Sequence, residues 1–271
     1  MKIKIPEIVA LDIETTGLDP ENDRICEISL LRIKEEEIVE KFTTLINPEI
    51  KIPEEIYFIS GIVNEDVKNS PFFKNVVEKI NNFIKGKVVL CHNANFDISF
   101  LKKEFERCGF KFPEIKIIDT YLIAKNFFDF ESNSLSFLSS FFGIKRICEH
   151  RAEDDAKATF EIFKLLLEEM EKDYDGDFIK KVIFNLNEIN QQNYDRKSLE
   201  EFIKKAILEK RKIMITYVST NVVSGIKKEI TERKILPLEI IEENGVKYLK
   251  AFCYLRNEER KFKFDRILEI E

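Results

Sequence analysis

Tryptophan is absent from this chain, and glycine, proline and histidine are scarce: 8 Gly, 7 Pro and 2 His. So few backbone breakers exclude a linker protein or a low-complexity tract, and a 44% hydrophobic content excludes a disordered chain. Cysteine is thinly spread. Cys26, Cys91, Cys108, Cys148 and Cys253 make an odd, scattered set with no Cys-x-x-Cys pair, which argues against a disulfide framework and against a structural zinc. Buried free thiols are the expected alternative. No apolar run is long enough to span a bilayer. The start, Met1-Lys2-Ile3-Lys4-Ile5-Pro6, meets acidic residues within a few positions and reads as neither a secretory signal nor a transit peptide. The expected setting is the cytoplasm, with no membrane partner.

What is present is a chain of 271 residues with 35% charged side chains and a formal net charge of −6. That length suits one large domain or two unequal ones. The charge is uneven: residues 1–175 hold 24 Lys+Arg against 34 Asp+Glu, a net of −10, and residues 176–271 hold 20 against 16, a net of +4. An acidic first part is compatible with nucleic-acid chemistry only where bound cations invert the local field.

Hydrophobic patterning predicts strands at 8–14, 25–34 and 37–46, then a helix opened by Asn69-Ser70-Pro71, with Phe72, Val76, Val77, Ile80, Phe83 and Ile84 at helical spacing. A short strand at 87–91, a helix over 97–107, a strand at 115–118, helices at 120–128 and 135–142, and a long helix over 152–172 follow. A strand meander that passes into alternating strands and helices predicts an α/β fold with a mixed sheet flanked by helices. The polar run Asp173-Tyr174-Asp175-Gly176-Asp177 marks a boundary. Beyond it come helices at 178–192 and 199–211, the latter with Ser198-x-x-Glu201 as a capping box, and then mostly strands: 213–218, 229–236, 238–242, 246–254 and 261–270, with Asn244-Gly245 as a hairpin turn. The expected domains are 1–175, a helical linker 176–212, and a β-rich domain 213–271.

Three acidic segments stand out. In Leu11-Asp12-Ile13-Glu14 the side chains alternate across a strand, so Asp12 and Glu14 share one face, which suits either open solvent or a cation. Thr15-Thr16-Gly17-Leu18 then places small and hydrogen-bonding groups where a ligand backbone could approach. Asp97, in His92-Asn93-Ala94-Asn95-Phe96-Asp97, begins a helix and serves either as its N-cap or as a further acid of a site. In His150-Arg151-Ala152-Glu153-Asp154-Asp155, the acids suit the positive end of a helix, or one of them joins the others.

Taken together, these segments resemble the DEDDh exonucleases, the family of polymerase proofreading epsilon subunits, ribonuclease T and oligoribonuclease. Leu11 to Leu18 is similar to the first motif of that family, His92 to Asp97 to its second, and His150 to Asp155 to its third. Ile59-Ser60-Gly61-Ile62 and Asp119-Thr120 agree as landmarks. The resemblance implies a ribonuclease H-like fold over residues 7 to about 172. It makes Asp12, Glu14, Asp97 and Asp155 ligands of two Mg²⁺ or Mn²⁺ ions and His150 the general base, with Asp155 rather than Asp154 as the last ligand. Oxygen ligands suit such ions, and imidazole can take a proton near neutral pH. His92 is expected to be structural or a substrate contact. The strand end would meet Thr15, Thr16, Gly17 and the wedge Leu18, with Phe96 packing nearby. The implied activity is 3′-to-5′ removal of nucleoside monophosphates from single-stranded DNA. RNA trimming, or a binding protein without turnover, are the alternatives, and a polymerase or other DNA-processing protein is the implied partner.

Residues 213–271 resemble the WYL domain, a small SH3-like β module, through Tyr217, Arg233-x-Ile235-x-Pro237, Lys247-Tyr248-Leu249 and Arg260-x-Phe262-x-Phe264-Asp265-Arg266-Ile267. Lys247 stands where that family has its tryptophan. The resemblance makes Arg233, Arg256, Arg260 and Arg266 candidates for holding a nucleotide or nucleic acid. The alternative is surface ion pairing with Glu229, Glu232, Glu258 and Glu259.

Overall fold

A computed structural model describes residues 7–146, 150–177, 179, 180, 183, 195–224, 227–243 and 245–270. By packing, the chain divides into two compact units, one from residues 1–121 and 132–176 and the other from 122–131 and 177–271.

The first unit is built on five strands: β1 (Ile8–Thr15), β2 (Ile25–Lys34), β3 (Glu37–Leu45), β4 (Val88–Cys91) and β5 (Lys116–Asp119). Their order is β3-β2-β1-β4-β5, with β1, β2 and β3 antiparallel and β1, β4 and β5 parallel. Helices α1 (Glu54–Ser60), α2 (Asn64–Val67), α3 (Phe73–Ile84), α4 (Ala94–Arg107), α6 (Leu135–Phe141) and α7 (Ala152–Met170) belong to it, and of α5 (Thr120–Phe127) only Thr120 and Tyr121 do. Alternation along β1 sends Val9, Leu11 and Ile13 into a core shared with Val77, Ile80 and Ile84 of α3 and Phe100, Leu101 and Phe105 of α4. Asp12 and Glu14 therefore point to the other face. Phe100 and Phe105 are completely buried, so truncating either would cost ~3–5 kcal/mol.

The mixed sheet flanked by helices is the expected fold, and its strands lie within a residue or two of the predicted ones. Differences occur where tertiary partners override local signals. The helices α1 and α2 lie in a stretch where no helix was expected; α1 ends at Gly61, whose φ of +69° supplies the left-handed cap. Helix α4 starts three residues before Asp97, which therefore sits inside its first turn and is not its N-cap.

In the second unit, α8 (Asp195–Leu208) is followed by β6 (Ile213–Ser224), β7 (Lys227–Glu243), β8 (Val246–Cys253), β9 (Glu258–Lys263) and β10 (Ile267–Ile270). They form one antiparallel sheet in the order β10-β6-β7-β8-β9. Ile203 and Ala206 of α8 share a core with Ile215, Ile235, Leu249 and Phe262. The two expected strands at 229–236 and 238–242 are one strand, because the register shift between Pro237 and Glu239 lets a residue without an N–H pass as a bulge. The single strand expected at 261–270 is two, split by a 3₁₀ turn at Phe264–Arg266. Because α8 begins at Asp195, Ser198 lies within the helix and not at its N-cap. Most of the helix expected at 178–192, the side chain of Ser198, Cys148 and Asn244 lie outside the described residues. Gly245, at φ +74°, sits in the tight turn between the paired Glu243 and Val246. Among the described residues, no helix is long and apolar enough to cross a membrane. Cys26, Cys91 and Cys253 are buried and unpaired as expected, whereas Cys108 is only half-buried.

Candidate active site

The acidic face of β1 meets two helix N-termini near the carboxyl ends of the parallel strands, the usual ligand side of such sheets. Each helix is fixed by a carboxylate borrowed from the sheet. At α4, Asn93 adopts a left-handed φ of +67° and its side chain makes no cap bond. Asp119, at the end of β5, supplies the cap instead, accepting the backbone N–H groups of Asn93 at 3.0 Å, Ala94 at 2.9 Å and Tyr121 at 2.9 Å. This sets the helix that carries the buried Asp97. At α7, Glu27 of β2 accepts the N–H of Ala152 at 3.0 Å.

Side chains from β1, the turn before α7, and α7 itself then converge. Ligand atoms of Glu14, His150 and Asp155 all lie within 4.8 Å of one another. Asp154, next along the helix, faces Lys157 at 3.7 Å instead. Asp155 is also held from its far side: Arg146 Nη1 donates to its Oδ1 at 2.8 Å while Arg146 Nη2 donates to Ser136 Oγ at 2.7 Å.

Crowding of anions governs the electrostatics. Burial, and then the neighbouring Asp97, Glu14 and Asp155, hold the Asp12 carboxyl well above the usual range. Burial, with Asp155 and Glu27 beside it, pushes Glu14 up to about 8. Burial also raises Asp97 and Asp155, the latter opposed by the Arg146 guanidinium. Among the described residues, no lysine or arginine lies within ion-pair distance of Asp12, Glu14 or Asp97, and the nearby Arg151 only partly opposes the shift at Glu14. Four half-buried or buried carboxylates that resist ionising together, with one imidazole, form an oxygen-rich donor set that fits a divalent cation.

His92 stands apart from this cluster. Its Nδ1 lies 2.8 Å from Thr120 Oγ1 and its Nε2 2.9 Å from the Asn133 carbonyl, and burial lowers its pKa to about 4. It is a neutral tether between β4 and the segment before α6.

The loop after β1 is tightly built. Thr15 Oγ1 donates to the Gly17 carbonyl at 2.6 Å, and Thr16 Oγ1 bonds to Asp23 at 3.2 Å and accepts Arg24 N–H at 3.0 Å. Both threonines are buried, so their hydroxyls hold the loop together. A Cβ at Gly17 would lie 2.3 Å from the Asp23 carboxylate, so a larger residue there would have to push that carboxylate off its bonds to Thr16 and the Asp19 N–H. Leu18 projects at the tip, 82% exposed. Phe96 packs on Phe100 with ring centroids 4.9 Å apart.

The four candidate arginines of the second unit lie in four different places. Arg233 on β7 is buried; it donates to Thr231 Oγ1 at 2.8 Å and lies 5.7 Å from the Tyr217 ring and 5.9 Å from the Phe262 ring. Arg260 on β9 pairs with Glu258 at 2.9 Å in an exposed contact, Arg256 is exposed after β8, and Arg266 is half-buried in the 3₁₀ turn.

Sequence reasoning missed Glu27, Arg146 and Arg151, and took Asp119 only as a landmark. The available signal for Glu27 was a lone acid inside the apolar run Ile25-Cys26-Glu27-Ile28, since a buried glutamate is rarely left unpaired.

This sheet order, with acids beside a half-buried histidine at the ends of its parallel strands, defines a ribonuclease H-like nuclease fold. The chain belongs to the exonuclease family, whose profile matches residues 9–163, and residues 201–271 match the WYL domain. Residues 9–163 thus form a 3′-to-5′ exonuclease domain, of a family that works with divalent metal ions. Over 167 residues the chain is 41% identical to the PolC-type DNA polymerase III of Caldanaerobacter subterraneus subsp. tengcongensis, covering 61% of this chain and 12% of that one. It is 38% identical over 161 residues to the DNA polymerase III subunit epsilon of Treponema pallidum, covering 58% of this chain and 75% of the subunit. The chain thus spans about an eighth of the PolC-type polymerase. The nuclease domain of 3′hExo, a DEDDh family member bound to rAMP, shares the fold with a TM-score of 0.52 at 21% identity, over 60% of this chain and 92% of that one.

Proposed function

We propose that this protein removes nucleoside monophosphates from the 3′ end of single-stranded DNA, with His150 as general base. The observation that carries the reading is the convergence of Glu14, His150 and Asp155 from distant parts of the chain onto the face that also bears Asp12. Asp12, Glu14, Asp97 and Asp155 would hold two Mg²⁺ or Mn²⁺ ions, which when bound supply Lewis-acid stabilisation of the attacking and leaving oxygens. His150 takes the proton of the attacking water, the part that imidazole most often plays in general base catalysis. Leu18 separates the terminal bases, and the backbone around Gly17 allows the strand end to come close. Contacts of this kind carry little base preference.

Two relatives support DNA over RNA, the PolC-type DNA polymerase III at 41% identity and the DNA polymerase III subunit epsilon at 38%. The same relatives support a polymerase or other DNA-processing protein as partner. In the second unit, Arg233, Arg256, Arg260 and Arg266 are proposed to meet a nucleotide or nucleic-acid ligand. Arg233 supports this best, because its guanidinium is buried against two rings.

The test is digestion of 5′-labelled single-stranded DNA and RNA with Mg²⁺, Mn²⁺ or EDTA, comparing the wild type with Asp12→Ala. A shortening ladder on DNA that needs both metal and Asp12 is expected. Shortening of RNA alone would make the protein an RNA-trimming enzyme, and binding without shortening would make it a regulator.

A further inference from the structure

His150 is held in a backbone conformation that a non-glycine residue adopts at a cost, with φ at +57°. Something beyond local preference must keep it there, and the adjoining residues show what does. Arg151 occupies the N-cap position of α7 but makes no side-chain cap bond. Its guanidinium turns instead to Glu27, which is 2% exposed on β2. Nη2 donates to Oε1 at 2.7 Å, and Nε lies 3.1 Å from Oε2 and 3.3 Å from Oε1. The second oxygen of Glu27 also accepts the Ala152 N–H at 3.0 Å. One carboxylate thus grips both the side chain that follows His150 and a first N–H of the helix that carries Asp155. A fork of this type fixes direction as well as distance.

The register of the sheet adds a second observation. Glu27 lies directly opposite Glu14 in the β1–β2 pair. Residues opposite each other on antiparallel strands share a face. The strand pair therefore presents two glutamates side by side, one in the cluster with His150 and the other fully engaged by the chain segment that bears His150. The imidazole is located relative to Glu14 through a short rigid path: Glu14, its neighbour Glu27, Arg151, His150.

We propose that Glu27 and Arg151 are positioning residues for His150, setting the imidazole against the water it deprotonates, without touching substrate themselves. This rests on His150 being the general base.

Arg151→Gln takes the cation from the buried Glu27, which keeps the Ala152 N–H at 3.0 Å, so Arg151→Lys, which retains the charge without the fork, is made beside it as the variant expected to fold. Glu27→Gln is the companion variant. Initial rates on a 5′-labelled single-stranded oligonucleotide should show kcat lowered by about 10-fold to 10²-fold, as expected when a reacting group is displaced by about an ångström, with KM unchanged. Calorimetric Mn²⁺ affinity of the free protein should not change. The deciding measurement is a double-mutant cycle: in a His150→Ala background, Arg151→Gln should have no further effect on kcat. An equal loss in both backgrounds would mean that Arg151 acts on something other than His150 and would overturn the proposal, as would full kcat in the Arg151→Gln single variant. If His150→Ala alone keeps wild-type kcat, the base assignment fails, and the positioning role with it.

Discussion

Arg107 and Glu104, three residues apart on α4, together tie the loop after β1 to the helix that carries Asp97. Arg107 donates to the carbonyls of Asp23 at 3.1 Å, Pro20 at 2.9 Å and Glu21 at 2.8 Å. Glu104, 1% exposed, accepts Arg107 at 3.1 Å and Arg24 at 2.6 and 3.1 Å. The Leu18 tip and Asp97 are thereby fixed with respect to one another.

Breaking this tie should be costly. Glu104→Ala leaves two largely buried guanidinium groups short of their partner, and removing one member of a buried pair costs ~3–5 kcal/mol. Arg24 keeps Glu49 at 3.3 Å, so a loss near ~3 kcal/mol is expected by urea denaturation. A change under ~1 kcal/mol would show that the network contributes little beyond a surface ion pair.

At the tip itself the expectation reverses. Leu18→Ala should leave stability within ~0.5 kcal/mol, because the side chain is 82% exposed, yet raise KM for single-stranded DNA several-fold. Unchanged KM would remove Leu18 from the substrate contacts.

The proposed general base can be tested directly. His150→Ala should lower kcat by about 10² to 10⁴-fold while leaving Mn²⁺ affinity in place. Rates at the wild-type level would end that assignment.

The acidic cluster makes a prediction about pH. Glu14 is raised from 4.5 to about 8, so from pH 4.5 upward the folded state holds a proton that the unfolded state has lost. The contribution of Glu14 to the stability of the metal-free protein is therefore fully present below pH 4.5 and lost as the pH rises through about 8, and the raised Asp12, Asp97 and Asp155 act in the same direction. Calorimetric melting in EDTA should show Tm falling across this range. Mn²⁺ should raise Tm most at the alkaline end, where the carboxylates are ionised. Glu14→Gln should flatten the EDTA profile, and an unchanged slope would count against the crowding of charge.

His92 has the opposite sign. Its pKa is depressed from 6.5 to about 4 by burial, so its contribution to stability is present above pH 6.5 and lost as pH falls through 4. Its imidazole proton resonances should stay unshifted from pH 8 to 5, and a midpoint near 6.5 would show that the ring is not sealed as the structure has it.

Much of this was legible along the chain, and the reason is periodicity. Asp12 and Glu14 are two apart on a strand, so they must share a face. Likewise, the spacing of Val77, Ile80 and Ile84 marks one side of a helix. The order of the three acidic segments and the strand meander were likewise local features. What only the tertiary structure decided is which residues serve them. That Asp119 caps α4 depends on β5 lying beside β4, and that Glu27 grips Arg151 depends on α7 beginning beside β2, 124 residues away in sequence. Strand order and long-range hydrogen bonds leave no trace in local spacing, because a carboxylate reads the same in sequence whether it ends up facing water, a cation or a helix end.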